Sequence, residues 1–302
     1  MRRITFAAPR IKRYETDDFQ PSGEPRFIAV SLRGMECHLM CDHCCTRLLE
    51  ALHRAETPER LLRLCERMHG RGCRGLLLTG GCDADGKIPL PEFVDAAREA
   101  KRRWGFRIAV HTKLADEEFV NAAADIGTDL LMLDVVGDEE SMQRVYHLWG
   151  RTPRDIEAGL DLAEARGVPL APHVLIGIAN GRVVGERHAL EMLRGRRLAS
   201  VVLVVLSPLL HTPMADVEVD IDAALEVMTE ARRMFPDTRL TLGCAKTGGE
   251  GQRRLEEHAI DLAFDAIAYP SEGIVTLARE RGFDVHFSEE CCAFQTLDEV
   301  TG

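Results

Sequence analysis

Ten cysteines occur in this chain of 302 residues, and three of them, Cys37, Cys41 and Cys44, form a compact C-x₃-C-x₂-C array. Three thiolates on one short loop do not complete a four-coordinate zinc site, but they suit an iron–sulfur cube in which one iron stays open. An open metal position is typical of catalytic sites. The alternatives are three cysteines without a common role, or a zinc site completed by His38 or His43.

The overall composition narrows the classes of protein to which the chain can belong. Hydrophobic residues make up 45% and charged residues 29%, which is ordinary for a globular protein, and the net charge of −11 disfavours nucleic-acid and anionic-membrane surfaces. The sequence has no apolar run of the ~18 residues that a membrane span needs. The first nine residues do not resemble a secretion signal. We therefore expect a cytoplasmic protein, in which clustered cysteines bind metal or catalyse rather than form disulfides.

Short apolar runs alternate with amphipathic segments of helical period, which predicts an α/β fold with parallel strands. The best interpretation is a TIM-type (β/α)₈ barrel over residues 26–281, with a partial six-strand barrel as the competitor. Residues 1–25 are predicted to be an N-terminal extension and 282–302 a cysteine-bearing tail. The predicted strands are Phe27–Leu32, Gly75–Leu78, Arg107–His111, Asp129–Val136, Leu170–Ile178, Ala199–Leu206, Arg239–Gly243 and Asp265–Ala268.

The cysteine array follows the first of these predicted strands, at the end of a barrel where active sites lie. With this placement, the array resembles the signature of the radical S-adenosylmethionine (radical SAM) superfamily. The resemblance implies that Cys37, Cys41 and Cys44 hold a [4Fe–4S] cluster whose open iron binds S-adenosylmethionine. It also implies that reductive cleavage of that cofactor yields a 5′-deoxyadenosyl radical. His43 takes the place of the aromatic residue that typically precedes the third cysteine.

Other features of the superfamily can be matched to later strands. The resemblance assigns the methionyl amino group to Gly80 and Gly81, where Cys82 replaces the usual glutamate. It assigns the ribose to Asp134. The segment that resembles the adenine-contacting strand contains His173, Ile176 and Ile178.

The remaining cysteines suggest a second site. Cys82 and Cys244 each follow a predicted strand, and a folded-back tail would bring Cys291 and Cys292 to the same mouth of the barrel. Four thiolates there would be the ligand set of an auxiliary [4Fe–4S] cluster. The alternatives are buried free thiols or a disordered tail. Cys45 is a further candidate ligand.

A cysteine-bound second cluster resembles the biotin synthase and lipoyl synthase branch, in which such a cluster donates sulfur. The split, two-protein lipoyl synthases are the nearest match. This implies an octanoylated carrier protein or peptide as substrate, a second radical SAM protein as partner, and an electron donor of the ferredoxin or flavodoxin type. Candidate substrate contacts are His111, Lys113 and His211. The alternatives are a carbon-skeleton or ring-forming radical SAM enzyme, and a non-catalytic iron–sulfur or zinc protein.

Overall fold

The computed structural model describes residues 2–12, 14–21 and 23–294, in which parallel strands alternate with helices. The strands are β1 (Arg2–Ala7), β2 (Phe27–Ser31), β3 (His53–Arg54), β4 (Gly75–Thr79), β5 (Arg107–Thr112), β6 (Leu130–Val135), β7 (His173–Ile176), β8 (Val201–Val205), β9 (Leu240–Leu242), β10 (Ala266–Ala268) and β11 (Phe283–Ser288). The α-helices are α1 (Pro58–Gly70), α2 (Val94–Trp104), α3 (Glu117–Ile126), α4 (Glu139–Arg144), α5 (Pro153–Ala165), α6 (Glu186–Leu193), α7 (Ile221–Met234), α8 (Gly249–Asp261) and α9 (Ile274–Glu280).

One sheet contains all of these strands, in the order β11-β1-β10-β9-β8-β7-β6-β5-β4-β2-β3. Every pairing is parallel. The sheet curls into a half-barrel, and among the described residues no pairing joins its edge strands, β11 and β3. The α/β prediction of a TIM-type barrel is therefore confirmed in its partial form, with more strands than either strand count predicted.

The two faces of the curled sheet bury different sets of side chains, because successive residues of a strand point to opposite faces. On β5, Ile108 and Val110 pack in the core between the sheet and its helices, whereas Ala109 faces the interior. On β6, Leu131 belongs to the outer core and Met132 to the inner one. Polar residues at the carboxyl ends of these strands therefore meet above an apolar interior layer.

The stretch predicted to be an N-terminal extension contributes a strand. β1 pairs with β10 on one side and β11 on the other, so both ends of the chain join the same edge of the sheet. The strand predicted over Leu170–Ile178 is shorter in the structure. Pro172 has no N–H to donate, and Gly177 turns the chain with φ +81°.

The described part of the tail, up to residue 294, enters the interior instead of covering the rim. Cys291 and Cys292 are buried with inward-facing residues of the strands, and Phe294 is fully buried against Phe27 at a ring separation of 5.7 Å. The rest of the predicted tail, 295–302, lies outside the described residues. Among the helices that the structure describes, none has the length and apolar character required to cross a bilayer.

Candidate active site

The cysteine array lies on the connection that follows β2. The Cys44 N–H donates to the Cys41 carbonyl at 2.9 Å, which closes a tight turn and holds both residues on one loop. The Cys41 thiol donates to the Tyr146 carbonyl at 3.5 Å. The N–H of Cys82, just beyond β4, donates to Cys37 Sγ at 3.4 Å. Segments that follow β2, β4 and β6 thus meet at one end of the sheet.

The electrostatics of Cys41 show that these thiols lie close together. Burial raises the pKa of the Cys41 thiol far above its ordinary value, the charge of Lys113 opposes this rise, and Cys37 and Cys82 add to it. Burial likewise raises the pKa of Cys82 to about 12. These thiols are therefore protonated in the metal-free chain, and a bound metal would deprotonate those that ligate it.

The glycine run after β4 packs directly on the cysteine loop. A methyl group in the Cβ position of Gly81 would lie 1.8 Å from the Glu36 carbonyl oxygen and 2.7 Å from Cys37 Cβ. Gly80 has φ +137° and approaches Ser31 in the same way. Only glycine permits these contacts, so the main chain of Gly81 packs on the cysteine loop and that of Gly80 packs on the end of β2.

The three thiols of this loop match, in number and type, the protein ligands of an iron–sulfur cube with one open iron, in which each thiolate binds a different iron. Within the described ranges, no group of three or more Cys, His, Asp or Glu side chains is arranged to hold one metal ion. The buried Nδ1 of His43 also lacks a hydrogen-bond partner beside this loop, and burial lowers the pKa of that histidine to about 3. The neutral ring packs on Tyr146 at a ring separation of 4.9 Å, and its Nδ1 is available for a ligand contact.

Asp134, at the carboxyl end of β6, is the centre of a buried polar cluster. Its Oδ1 lies 2.9 Å from His111 Nε2, and its Oδ2 accepts from Lys113 Nζ. The Tyr146 hydroxyl donates to the same Oδ2 at 3.3 Å. A carboxylate offers about four lone-pair positions, so these three bonds leave one acceptor position for a ligand hydroxyl.

The Asp134–Lys113 pair stays ionised in spite of its burial. Burial alone would raise the pKa of Asp134, but the charges of Lys113 and His111 hold it well below its ordinary value. Burial alone would lower the pKa of Lys113, but Asp134 and the nearby cysteines Cys41 and Cys82 raise it. Lys113 therefore remains a cation between the carboxylate and the cysteine loop.

The predicted adenine-contacting strand is β7. His173 is the register partner of Asp134, and its ring lies 5.3 Å from that of His111. Its Nδ1 is buried without a partner, and burial lowers its pKa to about 3. The side chains of Ile176 and Ile178 pack in the outer core, so only their main chain faces the site.

Glu186 and Tyr146 complete the site and were missed in the sequence. Buried Glu186 accepts from the N–H of Gly177 and from that of Val184, both at 2.7 Å, and so fixes the turn after β7. Glu186 could have been found in the sequence, because it is an acidic residue that begins a helix soon after a strand and a glycine. No pattern marked Tyr146, which follows a short helix.

A second group of cysteines lies inside the curled sheet. The sulfurs of Cys244 and Cys292 are 3.8 Å apart, and hydrogen bonds with Cys244 and Cys291 raise the pKa of the Cys292 thiol well above its ordinary value. The contact with Cys292 lowers the pKa of Cys244 to about 7 against the effect of burial, and the charges of Lys246 and Lys12 act in the same direction. We call Cys244, Cys291 and Cys292 the inner trio.

Cys82 does not join the inner trio. It lies beside Cys37, and four strands separate β4, which precedes it, from β9, which precedes Cys244. The structure thus brings together three of the four cysteines predicted to share a second cluster. Cys45, the further candidate ligand, turns its thiol toward the Cys41 carbonyl at 3.6 Å. His211, a candidate substrate contact, is exposed to solvent.

Comparisons with known proteins identify the family and the fold of this chain. The family model described as the radical SAM superfamily matches residues 33–195, just over half of the chain. The fold is similar to that of methylornithine synthase PylB (TM-score 0.60, 16% identity, covering 86% of this chain and 82% of that one). It is also similar to that of the FeFe-hydrogenase maturase HydG from Carboxydothermus hydrogenoformans (TM-score 0.61, 14% identity, 94% and 67% covered). A third similar fold is Streptococcus suis SuiB bound to S-adenosylmethionine (TM-score 0.52, 13% identity, 91% and 53%). Among curated proteins, none matches the sequence.

Proposed function

Because the chain belongs to the radical SAM superfamily, we propose that Cys37, Cys41 and Cys44 hold its [4Fe–4S] cluster and leave one iron for S-adenosylmethionine. When bound, this cofactor pair supplies a 5′-deoxyadenosyl radical that removes hydrogen from an unactivated C–H bond. The observation that carries the proposal is the contact of Gly81 with the cysteine loop. It leaves the main chain of Gly81 beside Cys37, on the loop that carries the three thiols.

The surrounding residues have separable roles in holding S-adenosylmethionine. The carbonyls of Gly80 and Gly81 accept from its amino group, which removes the need for the acid that Cys82 replaces. Asp134 uses its remaining acceptor position for a ribose hydroxyl, since His111, Lys113 and Tyr146 occupy the others. The neutral ring of His173 and the main chain of Ile176 and Ile178 border the adenine. Burial of these groups excludes water from a reactive primary radical.

We further propose that the reaction is sulfur insertion, with the inner trio holding a second [4Fe–4S] cluster as the sulfur source. Convergence of three cysteines beside Lys12 and Lys246 supports it, because the charges of both lysines lower the pKa of Cys244 and so favour its thiolate. Held by Cys244, Cys291 and Cys292, such a cluster would supply the sulfide for each C–S bond that replaces a C–H bond, and its irons would accept the electron released.

The substrate that fits this proposal is an octanoyl chain on a lysine of a carrier protein or peptide. A second radical SAM protein shares the two sulfur insertions, and a ferredoxin or flavodoxin supplies the electron. The cytoplasm is the compartment that keeps ten free cysteines reduced.

Mass analysis tests the proposal directly. The reconstituted protein is incubated anaerobically with octanoylated peptide, S-adenosylmethionine and reductant, with and without a candidate partner protein. Sulfur gain that disappears in Cys244→Ala, while S-adenosylmethionine cleavage persists, supports sulfur insertion. Cleavage without sulfur gain in both conditions contradicts it.

A second candidate function is carbon-skeleton rearrangement or ring formation without sulfur donation. The position of Cys82 favours it, because the structure gathers three rather than four cysteines in the inner trio. Iron counting separates the two functions. About eight irons per chain agree with sulfur insertion, and about four agree with the alternative.

A further inference from the structure

The cysteine pair of the tail is held from both sides by one residue of the sheet. Arg107, the first residue of β5, forms an ion pair with Glu290 at 2.7 Å, just before Cys291. Its guanidinium group also lies 4.4 Å from the ring centre of Phe294 and donates to the Phe294 carbonyl at 3.4 Å. Arg107 therefore contacts the residue that precedes the pair and the residue two positions after it.

The short segment between these contacts is a closed turn. The Phe294 N–H donates to the Cys291 carbonyl at 2.9 Å, so both cysteines lie inside the turn. The Phe294 ring meets the edge of Phe27, the first residue of β2. Only 6% of Cys291 and 1% of Cys292 is exposed. With the turn fixed at both ends, Cys292 Sγ reaches the sulfur of Cys244.

We infer that Arg107 is the positioning residue of the inner trio: its fork of donors and its flat face fix Cys291 and Cys292 beside Cys244. This inference rests on the proposed second cluster for its consequence, but the placement itself is independent of metal. Arginine suits the task because a planar guanidinium group both pairs with a carboxylate and stacks on an aromatic ring. A lysine at position 107 would keep the positive charge, but it could not both pair with the carboxylate and stack on the aromatic ring.

The placement is tested in metal-free protein by thiol alkylation. Wild type, Arg107→Gln and Arg107→Lys are treated with iodoacetamide, and each cysteine is followed by mass spectrometry. We expect Cys291 and Cys292 to react at least about 10-fold faster in Arg107→Gln, because the turn opens more than about 1.4 kcal/mol more readily. Cys65 and Cys73, both fully buried elsewhere, are the internal controls and keep their rates. Equal rates for the pair in wild type and Arg107→Gln overturn the inference.

The consequence for metal binding is tested by charge reversal. Arg107→Glu loses about half of the bound iron while S-adenosylmethionine cleavage continues, and the double variant Arg107→Glu/Glu290→Arg regains the iron. Arg71→Glu, which breaks the exposed ion pair with Glu24, is the matched control and keeps full iron. If Arg107→Glu does not fold, the alkylation rates of Arg107→Gln still test whether Arg107 positions Cys291 and Cys292. Faster alkylation together with only about four irons in wild type upholds the placement and refutes the second cluster.

Discussion

Lys113 forms an ion pair with Asp134 inside the mouth of the curled sheet, and its charge also acts on the thiols of Cys41 and Cys82. The same ammonium group lies 5.3 Å from the ring centre of Tyr146. One partly buried cation thus connects the residue proposed to bind ribose with the loop proposed to bind the cluster.

Removal of this cation lowers the reduction potential of the first cluster. In Lys113→Met, the Asp134 carboxylate is left uncompensated beside an electron acceptor. At an effective dielectric constant of about 20, two unit charges about 8–16 Å apart interact by roughly 1–2 kcal/mol, which equals about 40–85 mV for one electron. Potentiometric titration followed by electron paramagnetic resonance measures the shift. Lys113→Arg is the control and stays within about 20 mV of wild type. An unchanged potential in Lys113→Met contradicts the placement of the cluster beside Lys113.

Substitution of Gly81 disrupts the site through sterics. The new methyl group of Gly81→Ala meets the Glu36 carbonyl oxygen, so the cysteine loop and the glycine run must separate. We expect a loss of about 1–3 kcal/mol in unfolding free energy and a weaker S-adenosylmethionine complex, measured by urea unfolding and equilibrium dialysis. Gly248→Ala is the matched control, since it has φ −86° and nothing within 4 Å of its Cβ position. If Gly81→Ala binds S-adenosylmethionine as tightly as wild type does, the proposed contact of the glycine run with the cofactor is wrong.

His173 makes the metal-free fold sensitive to mild acid. Its pKa is about 3 in the folded chain, against an ordinary value of 6.5. Between these two values, the unfolded chain binds a proton at this histidine and the folded chain does not. Stability therefore falls as the pH drops below about 6.5. At pH 5 the loss from this residue is about 2 kcal/mol relative to pH 8.

Urea unfolding at pH 8 and pH 5 measures this effect. His173→Gln removes about half of the difference between the two pH values, because buried His43, whose pKa is also about 3, contributes a similar amount. A pH difference in His173→Gln as large as that in wild type contradicts a buried, neutral His173.

The first site could be predicted from the sequence because its signals are local. Cys37, Cys41 and Cys44 share one loop, and Gly80 and Gly81 follow a strand next to it. Asp134 could be located because alternation along β6 turns it to the interior at the carboxyl end. Tyr146 could not, since its contact with Asp134 depends on how the chain returns after α4.

The second site could be predicted only in part, because it depends on contacts between distant residues. The ion pair that fixes the tail joins residues 183 positions apart, and nothing in the local pattern of either residue indicates it. The position of Cys82 depends on the order of strands around the sheet. β4 pairs with β2, so Cys82 lies with the first array.

The central claim is that the first cysteine array drives the reductive cleavage of S-adenosylmethionine, and one assay tests it most directly. Anaerobically reconstituted wild type, Cys41→Ala and Cys45→Ala are given S-adenosylmethionine and dithionite, and 5′-deoxyadenosine and methionine are quantified. The structure predicts cleavage by wild type and by the neighbouring control Cys45→Ala, and a loss of at least about 100-fold in Cys41→Ala. Cleavage by Cys41→Ala at the wild-type rate, or none by the iron-loaded wild type, would contradict the claim.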